Sequence, residues 1–245
     1  MAGFEKEISY LRELLHNSKH AVFFGGAGVS TGSGIPDFRG TDGLYTAAPD
    51  NGYSPEYMLS CDCLECQPEL FFSYYRSNML YPDARPNSAH TALAELEKEG
   101  LIKAVITQNI DGLHQEAGSK NVYELHGTVA SNHCVRCGKQ YGRDYVANGS
   151  GIPVCEECKG TVRPDVVLYG EGLDGATFDG AEREISKSDL LIVGGSSLTV
   201  YPAAGLVAGY RGRHLAIINL SPTPYDGRAD ILIPLSLTEV MPELL

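Results

Sequence analysis

Two pairs of cysteines, a glycine-rich loop and a polar strand end carry the candidate chemistry of this chain. "CVRC" at 134–137 and "CEEC" at 155–158 are Cys-x2-Cys pairs separated by seventeen residues. Each pair can present two thiolates from one tight knuckle, and two knuckles close a tetrahedral zinc shell with no open position. Cys134, Cys137, Cys155 and Cys158 are therefore expected to hold a structural zinc ion, with Gly138 and Gly160 serving the knuckle turns. Redox dithiols or four unrelated core cysteines are the alternatives. Cys61, Cys63 and Cys66 in "CDCLEC" show no fourth ligand and read as thiols without a role.

The stretch "FFGGAGVSTGSGIPDFRG" at 23–40 begins as a dinucleotide-binding loop, with an apolar strand running into Gly25, Gly26 and Gly28. It then departs: Thr31 stands where the third glycine belongs, and Pro36 diverts the chain a few residues later. A second polar cluster follows the apolar run that ends at "ITQNIDGLH", 106–114, with Gln108, Asn109, Asp111 and His114 at the expected ligand edge. A third, "ELHGTV" at 124–129, puts His126 beside Gly127. Taken alone, Asn-x-Asp-Gly is ordinary turn chemistry. Gathered at one sheet edge beside a phosphate loop, His126, Asp111 and Asn109 are candidates for acid–base work on a nucleotide.

These groups need a frame that brings strand ends together. The runs "AVFF" (21–24), "KAVITQN" (103–109), "DLLIVGG" (189–195) and "HLAIINL" (214–220) read as buried parallel strands, and "NVYEL" as a shorter one. Helical spacing occurs at Ile8, Leu11 and Leu15, and again over 88–100, where Gly100 is placed as a stop. The alternation predicts an α/β fold: a doubly wound, parallel-sheet, Rossmann-like domain over 1–40, 88–127 and 163–245. A helical and loop insertion at 41–87 and a small zinc-binding module at 128–162 interrupt it.

A chain of 245 residues with 43% hydrophobic and 20% charged residues can bury a sizeable core. Its net charge of −12 argues against direct nucleic-acid binding or an anionic membrane surface as partner. No run approaches the roughly 20 apolar residues of a membrane span, and Glu5, Glu7 and Glu13 interrupt any signal-like stretch at the N-terminus. A cytoplasmic protein with thiols or metal ligands is the expectation.

Together these motifs resemble the sirtuin family of NAD-dependent protein deacylases. Gly-Ala-Gly-x-Ser-x-x-Ser-Gly-Ile-Pro-Asp-Phe-Arg occurs in full at 26–39 and Thr-Gln-Asn-Ile-Asp-x-Leu-His at 107–114. The His-Gly pair at 126–127, the two cysteine pairs, "PDVVLYGE" (164–171), "GGSSLTVYPAA" (194–204) and "INL" (218–220) follow in order. The resemblance implies that NAD is consumed as a co-substrate, cleaved at the bond between nicotinamide and ribose. Gly26, Ala27, Gly28 and Asp37 would then belong to the cofactor loop, Phe38 would shield the reacting ribose carbon, and Arg39 would engage the ribose-phosphate region. Asn109, Ile110 and Asp111 would line the nicotinamide pocket, Gln108 would contact the ribose, and Gly195, Ser196, Ser197 and Asn219 would hold the ADP-ribose part.

The same resemblance implies that an acetylated or otherwise acylated lysine attacks the ribose carbon through its acyl oxygen, giving an alkylimidate. His126 then acts as general base on a ribose hydroxyl, and O-acyl-ADP-ribose is released. Val167, Tyr169, Gly170, Glu171 and Val200 would contact the acyl-lysine peptide, with 168–171 pairing as an added strand. Tyr169 stands where relatives usually have Phe, and Ser196 where they usually have Thr. The Tyr-x-x-Arg pair of the subclass that prefers acidic acyl groups is incomplete: Arg76 is present, with Ser73 three residues earlier. Deacetylation is therefore expected. The alternatives are a mono-ADP-ribosyltransferase and a non-catalytic ADP-ribose or zinc-ribbon module; hydride transfer fits least.

Overall fold

A computed structural model describes residues 3–38, 43 and 52–245. Nine strands form among them: β1 (Ala21–Gly25), β2 (Ile102–Thr107), β3 (Val122–Glu124), β4 (Gly127–Cys134), β5 (Gln140–Gly142), β6 (Val162–Val166), β7 (Leu190–Gly194), β8 (His214–Ile218) and β9 (Ile231–Ile233). Six make a parallel sheet in the order β3-β2-β1-β7-β8-β9. The chain winds outward from β1 in one direction, returns, and winds outward from β7 in the other. That reversal opens a crevice at the carboxyl ends of β1 and β7, where doubly wound sheets bind ligands.

Alternate residues of each strand enter opposite faces, as the pleat requires. Phe23, Val105, Ile192 and Ile218 pack with Ile8, Leu11 and Leu15 of α1 (Glu5–Asn17) on one side. Val22, Phe24, Ile106 and Val193 pack on the other. The helical insertion holds α2 (Pro55–Met58), α3 (Cys61–Cys66) and α4 (Pro68–Asn78); α5 (Ser88–Lys98) and α6 (Leu113–Ala117) flank β2. A capping box at Asn87 starts α5, and Gly100, at φ +76°, turns the chain after it. The first core layer receives Leu93 and Leu96 from α5.

The smaller sheet is antiparallel, in the order β5-β4-β6, with α7 (Arg143–Ala147) beside it. Residues 163–166, expected in the parallel part, therefore pair in the smaller sheet. The chain continues through α8 (Gly175–Lys187) and α9 (Ala203–Gly209), which cover the second face of the large sheet, to α10 (Leu237–Val240) and a 3-10 turn at Met241–Leu244. The four longer strand runs, the short "NVYEL" run, α1 and α5 form close to their expected positions. The sixth strand, β9, escaped the sequence reading because three residues, "ILI", carry too little periodicity to separate a strand from a loop. A third apolar cluster joins the insertion to the smaller sheet through Phe71, Phe72, Tyr75, Val129, Val146 and Val162.

Candidate active site and metal centre

The four cysteines converge. Their sulfur atoms all lie within 4.8 Å of one another, with Cys134 and Cys158 Sγ at 3.3 Å and Cys137 and Cys155 Sγ at 3.7 Å. A tetrahedron of Zn–S bonds of about 2.3 Å has edges of about 3.8 Å, so the set fits one zinc ion. The Arg136 N–H donates to Cys134 Sγ and the Gly160 N–H to Cys158 Sγ, both at 3.4 Å, as thiolate acceptors need. Backbone N–H groups and the Tyr141 hydroxyl, 3.1 Å from Cys155 Sγ, draw the Cys155 thiol down to about 6. Gly138 adopts φ +73°, as expected; in the second knuckle the left-handed residue is Lys159, at φ +63°. Gly160 is needed for space instead, since a Cβ there would lie 2.7 Å from Arg136 Cβ. Cys61, Cys63 and Cys66 make no comparable group, and among the described residues no other His, Cys, Asp or Glu set does.

The glycine loop leaves β1 through two short 3-10 turns, Ala27–Val29 and Thr31–Ser33, closed by Gly34 at φ +81°. It packs directly on the loop after β7. The Gly28 N–H donates to the Gly195 carbonyl at 2.8 Å, and a Cβ on Gly28 would sit 2.7 Å from Gly195 Cα. Gly26 meets the Gly195 carbonyl at 2.8 Å in the same way, while Gly195 itself has φ +61°. These glycines therefore serve loop-to-loop contact, a demand that spacing alone does not reveal.

One cavity of about 420 Å³ runs along the carboxyl edge of the large sheet. From the loop after β1 it receives Ala27, Gly28, Asp37 and Phe38; from the end of β2, Gln108, Asn109, Ile110 and Asp111. His126 enters from the turn between β3 and β4, Gly195, Ser196, Ser197 and Val200 from the loop after β7, and Asn219 from the end of β8. Val167, Tyr169, Gly170 and Glu171, beyond β6, form another wall. Gly26 is not among the lining residues, and Arg39 lies outside the described residues.

Ser30 is the hub of the polar end. Its hydroxyl donates to Asp111 Oδ2 at 2.7 Å and accepts from Asn109 Nδ2 at 3.0 Å. His90 Nε2 lies 3.5 Å from it, and since His90 Nδ1 accepts the Asn87 N–H, the Nε2 carries the hydrogen. The Leu113 N–H fixes Asp111 Oδ1 at 2.9 Å. Ser196 donates to Gln108 Oε1 at 2.7 Å, tying the loop after β7 to the end of β2. His126 Nδ1 lies 2.9 Å from the Gln108 carbonyl, which can only accept; in the neutral ring Nε2 is therefore a free acceptor. Burial pushes the His126 pKa below the ordinary histidine value against the pull of that carbonyl.

His114 is not at the ligand edge as expected. It faces inward from α6, with its ring 4.8 Å from that of His90 and both nitrogens buried without a hydrogen-bond partner. Sequence reasoning also missed Ser30 and His90 as supports, and the wall at Leu235–Leu237 after β9. A serine two residues beyond a loop glycine was the available signal for the first; the others follow from contacts between distant segments.

Replacing Cys155 with Ser is expected to lose one zinc per chain by elemental analysis and to lower the melting temperature by roughly 10 °C or more. Burial brings the His90 pKa down to about 4, opposed by Asp111, and burial with the neighbouring His90 brings His114 to about 3. Both values lie below the ordinary 6.5. The unfolded chain therefore binds protons that the fold excludes, so this stability is complete above about 6.5 and is lost as pH falls through that window. Thermal melts should show a steep fall in melting temperature between about pH 6 and 4, and His114→Leu should flatten part of that slope.

A family model described as "Sir2 family" matches residues 26–202. An "NAD-dependent protein deacetylase" from Clostridium perfringens (strain 13 / Type A) is 50% identical over 238 residues, covering 97% of this chain and 98% of that one. Among solved structures, a Sir2 variant with deacetylated p53 peptide and 3'-O-acetyl ADP ribose matches with a TM-score of 0.87 at 40% identity, over 97% of this chain and 96% of the other. A complex of Sir2, p53 peptide and NAD+ matches with a TM-score of 0.84 at 41% identity, over 96% and 95%. Sheet order, cysteine cluster and cavity thus agree with sequence likeness along nearly the whole chain, and the protein belongs to the Sir2 family.

Proposed function

We propose that this protein is an NAD-dependent protein-lysine deacetylase that transfers the acyl group to ADP-ribose and releases nicotinamide and O-acyl-ADP-ribose. The observation that carries the reading is the neutral His126 imidazole, with Nε2 open, in one cavity with the Ser30–Asn109–Asp111 network. The close relative named as a deacetylase, and Sir2 complexes with acetyl-ADP-ribose product, support it. NAD, when bound, supplies an electrophilic ribose carbon and the acceptor for the acyl group.

The chain's own residues provide position and proton transfer. The glycine loop and the loop after β7 would hold the phosphates and ADP-ribose, with Ser196, Ser197 and Asn219 as polar contacts and Asp37, Phe38 and Arg39 as cover. Asn109 and Asp111 would orient the nicotinamide amide, because Ser30 fixes both side chains. His126 Nε2 would take a hydroxyl proton, which a buried neutral imidazole does at working pH. Val167, Tyr169, Gly170, Glu171 and Val200 would line the path of the acyl-lysine peptide.

No lysine or arginine among the described residues lines the cavity. Arg76, the one element of the acid-acyl pair present, donates instead to the carbonyls of Val146 at 2.7 Å and Gly151 at 2.8 Å. An acidic acyl group would enter a cavity that already holds the Asp111 carboxylate, so acetyl and similar uncharged groups are the substrates of this reading. The division into an NAD-binding part (1–40, 88–127, 163–245), an insertion (41–87) and a zinc module (128–162) belongs to the same proposal, with the module extended to Val166, the last residue of β6. So does cytoplasmic residence, supported by thiolate ligands that a reducing compartment preserves. Mono-ADP-ribosyl transfer to protein is not favoured, since it has no need of the base and peptide wall assembled here.

Mass spectrometry of an acetyl-lysine peptide with and without NAD tests the reading. Acetyl loss that requires NAD, with nicotinamide and O-acetyl-ADP-ribose in equal amounts, is expected; NAD consumed with the acetyl group retained would reject it. His126→Ala should bind NAD yet lose turnover by roughly 100-fold or more. The acidic limb of kcat should lie below about 6.5, the ordinary histidine value, because the free base survives to lower pH.

A further inference from the structure

Glu171 lies in the cavity wall, yet its carboxylate is committed elsewhere. Oε1 accepts from Arg163 Nη1 at 2.5 Å and Oε2 from Arg163 Nη2 at 3.0 Å, a forked pair. Oε2 also accepts the Leu168 N–H at 2.8 Å, and the Glu171 N–H returns to the Leu168 carbonyl at 3.0 Å. On the other side, Arg163 Nη2 donates to the Val166 carbonyl at 2.9 Å and Nε to the Pro164 carbonyl at 3.3 Å. One guanidinium thus joins the last residue of β6 to the far end of the wall segment. Burial raises the Glu171 pKa, but the bonds from Arg163 and the Leu168 N–H, with the nearby Arg163 and His133 charges, outweigh it and leave it below the usual value.

The pair is largely shielded, with side-chain exposures of 15% for Arg163 and 26% for Glu171. Asp165, which could compete for the guanidinium, is itself taken by His133 Nδ1 at 2.5 Å and by the Ser131 hydroxyl. The segment is fixed along its length as well. The Val167 N–H donates to the His126 carbonyl at 2.9 Å, and Tyr169 bonds through both backbone groups to Leu59 and Cys61 at 3.0 Å.

We propose that Arg163 and Glu171 are a positioning pair that holds the backbone of residues 166–171 in the shape that receives an acyl-lysine peptide. Glu171 acts through its turn and not as a side-chain contact to substrate; Arg163 touches neither substrate nor cofactor. This rests on the deacetylase reading for the identity of the peptide. It assigns the pair to peptide recognition, because residues 166–171 form a cavity wall whose backbone is bonded to the insertion at Leu59 and Cys61.

The test uses the full zinc-loaded chain and two variants, Arg163→Gln and Arg163→Lys, with rates measured against an acetyl-lysine peptide at saturating NAD and against NAD at saturating peptide. Both variants should raise the peptide KM about tenfold, since lysine keeps the charge but cannot fork. The NAD KM and kcat should stay within about twofold. An unchanged peptide KM, or equal damage to kcat and both KM values, overturns the proposal. If Arg163→Gln does not fold, Arg163→Lys decides; if neither folds, the pair is a folding element and the proposal fails. Fluorescence anisotropy of the labelled peptide separates the two readings. A wild type that binds peptide without NAD-dependent turnover refutes the deacetylase reading, while equal peptide affinity in wild type and variants refutes the positioning pair.

Discussion

Two loops from neighbouring strands touch backbone to backbone, and the rest of the site depends on that contact. Gly26 and Gly28, beyond β1, approach Gly195, beyond β7, so closely that a Cβ at any of the three would overlap main-chain atoms within 3 Å. The two strands are adjacent in the sheet and lie where its winding reverses. The crevice at that point would otherwise be blocked by side chains. With hydrogen there instead, the loops lie flat on each other, and Ser30 and Ser196 emerge on either side to reach the end of β2.

From this platform the polar groups are arranged by burial as much as by bonding. Ser30 satisfies Asn109 and Asp111 together, so neither side chain is free to rotate. Behind it, His90 and His114 are kept neutral by desolvation, which removes two positive charges that would otherwise neutralise Asp111. His126 is held by one carbonyl bond, which selects the tautomer with Nε2 available. A buried network of this kind is rigid only when its members are paired. The unpaired nitrogens of His114 are an exception, located behind the reacting groups and not among them.

The zinc module is braced against the active site through more than the chain connection. Arg76 of α4 binds two carbonyls in or beside α7, and Arg143 of α7 reaches the Asp111 carbonyl at 3.4 Å. Insertion and module share one apolar cluster. The Sγ cluster thereby stabilises a wall of the cavity as well as its own loops, although zinc has no place in the chemistry.

The sequence alone determined the parallel α/β architecture, because buried strands demand continuous apolar runs, and the zinc centre, because two knuckles at that spacing have one efficient way to converge. Motif positions that follow strand ends also put Gln108, Asn109, Asp111 and His126 on one cavity wall. Where the determining partner is remote in sequence, the tertiary structure alone decided. His114 turned inward to His90, Arg76 turned to the module, Glu171 turned to Arg163, and β9 completed the sheet by pairing with β8. Local periodicity sets which face a residue occupies; which atom a polar side chain finally meets depends on segments that only folding brings within a few ångströms.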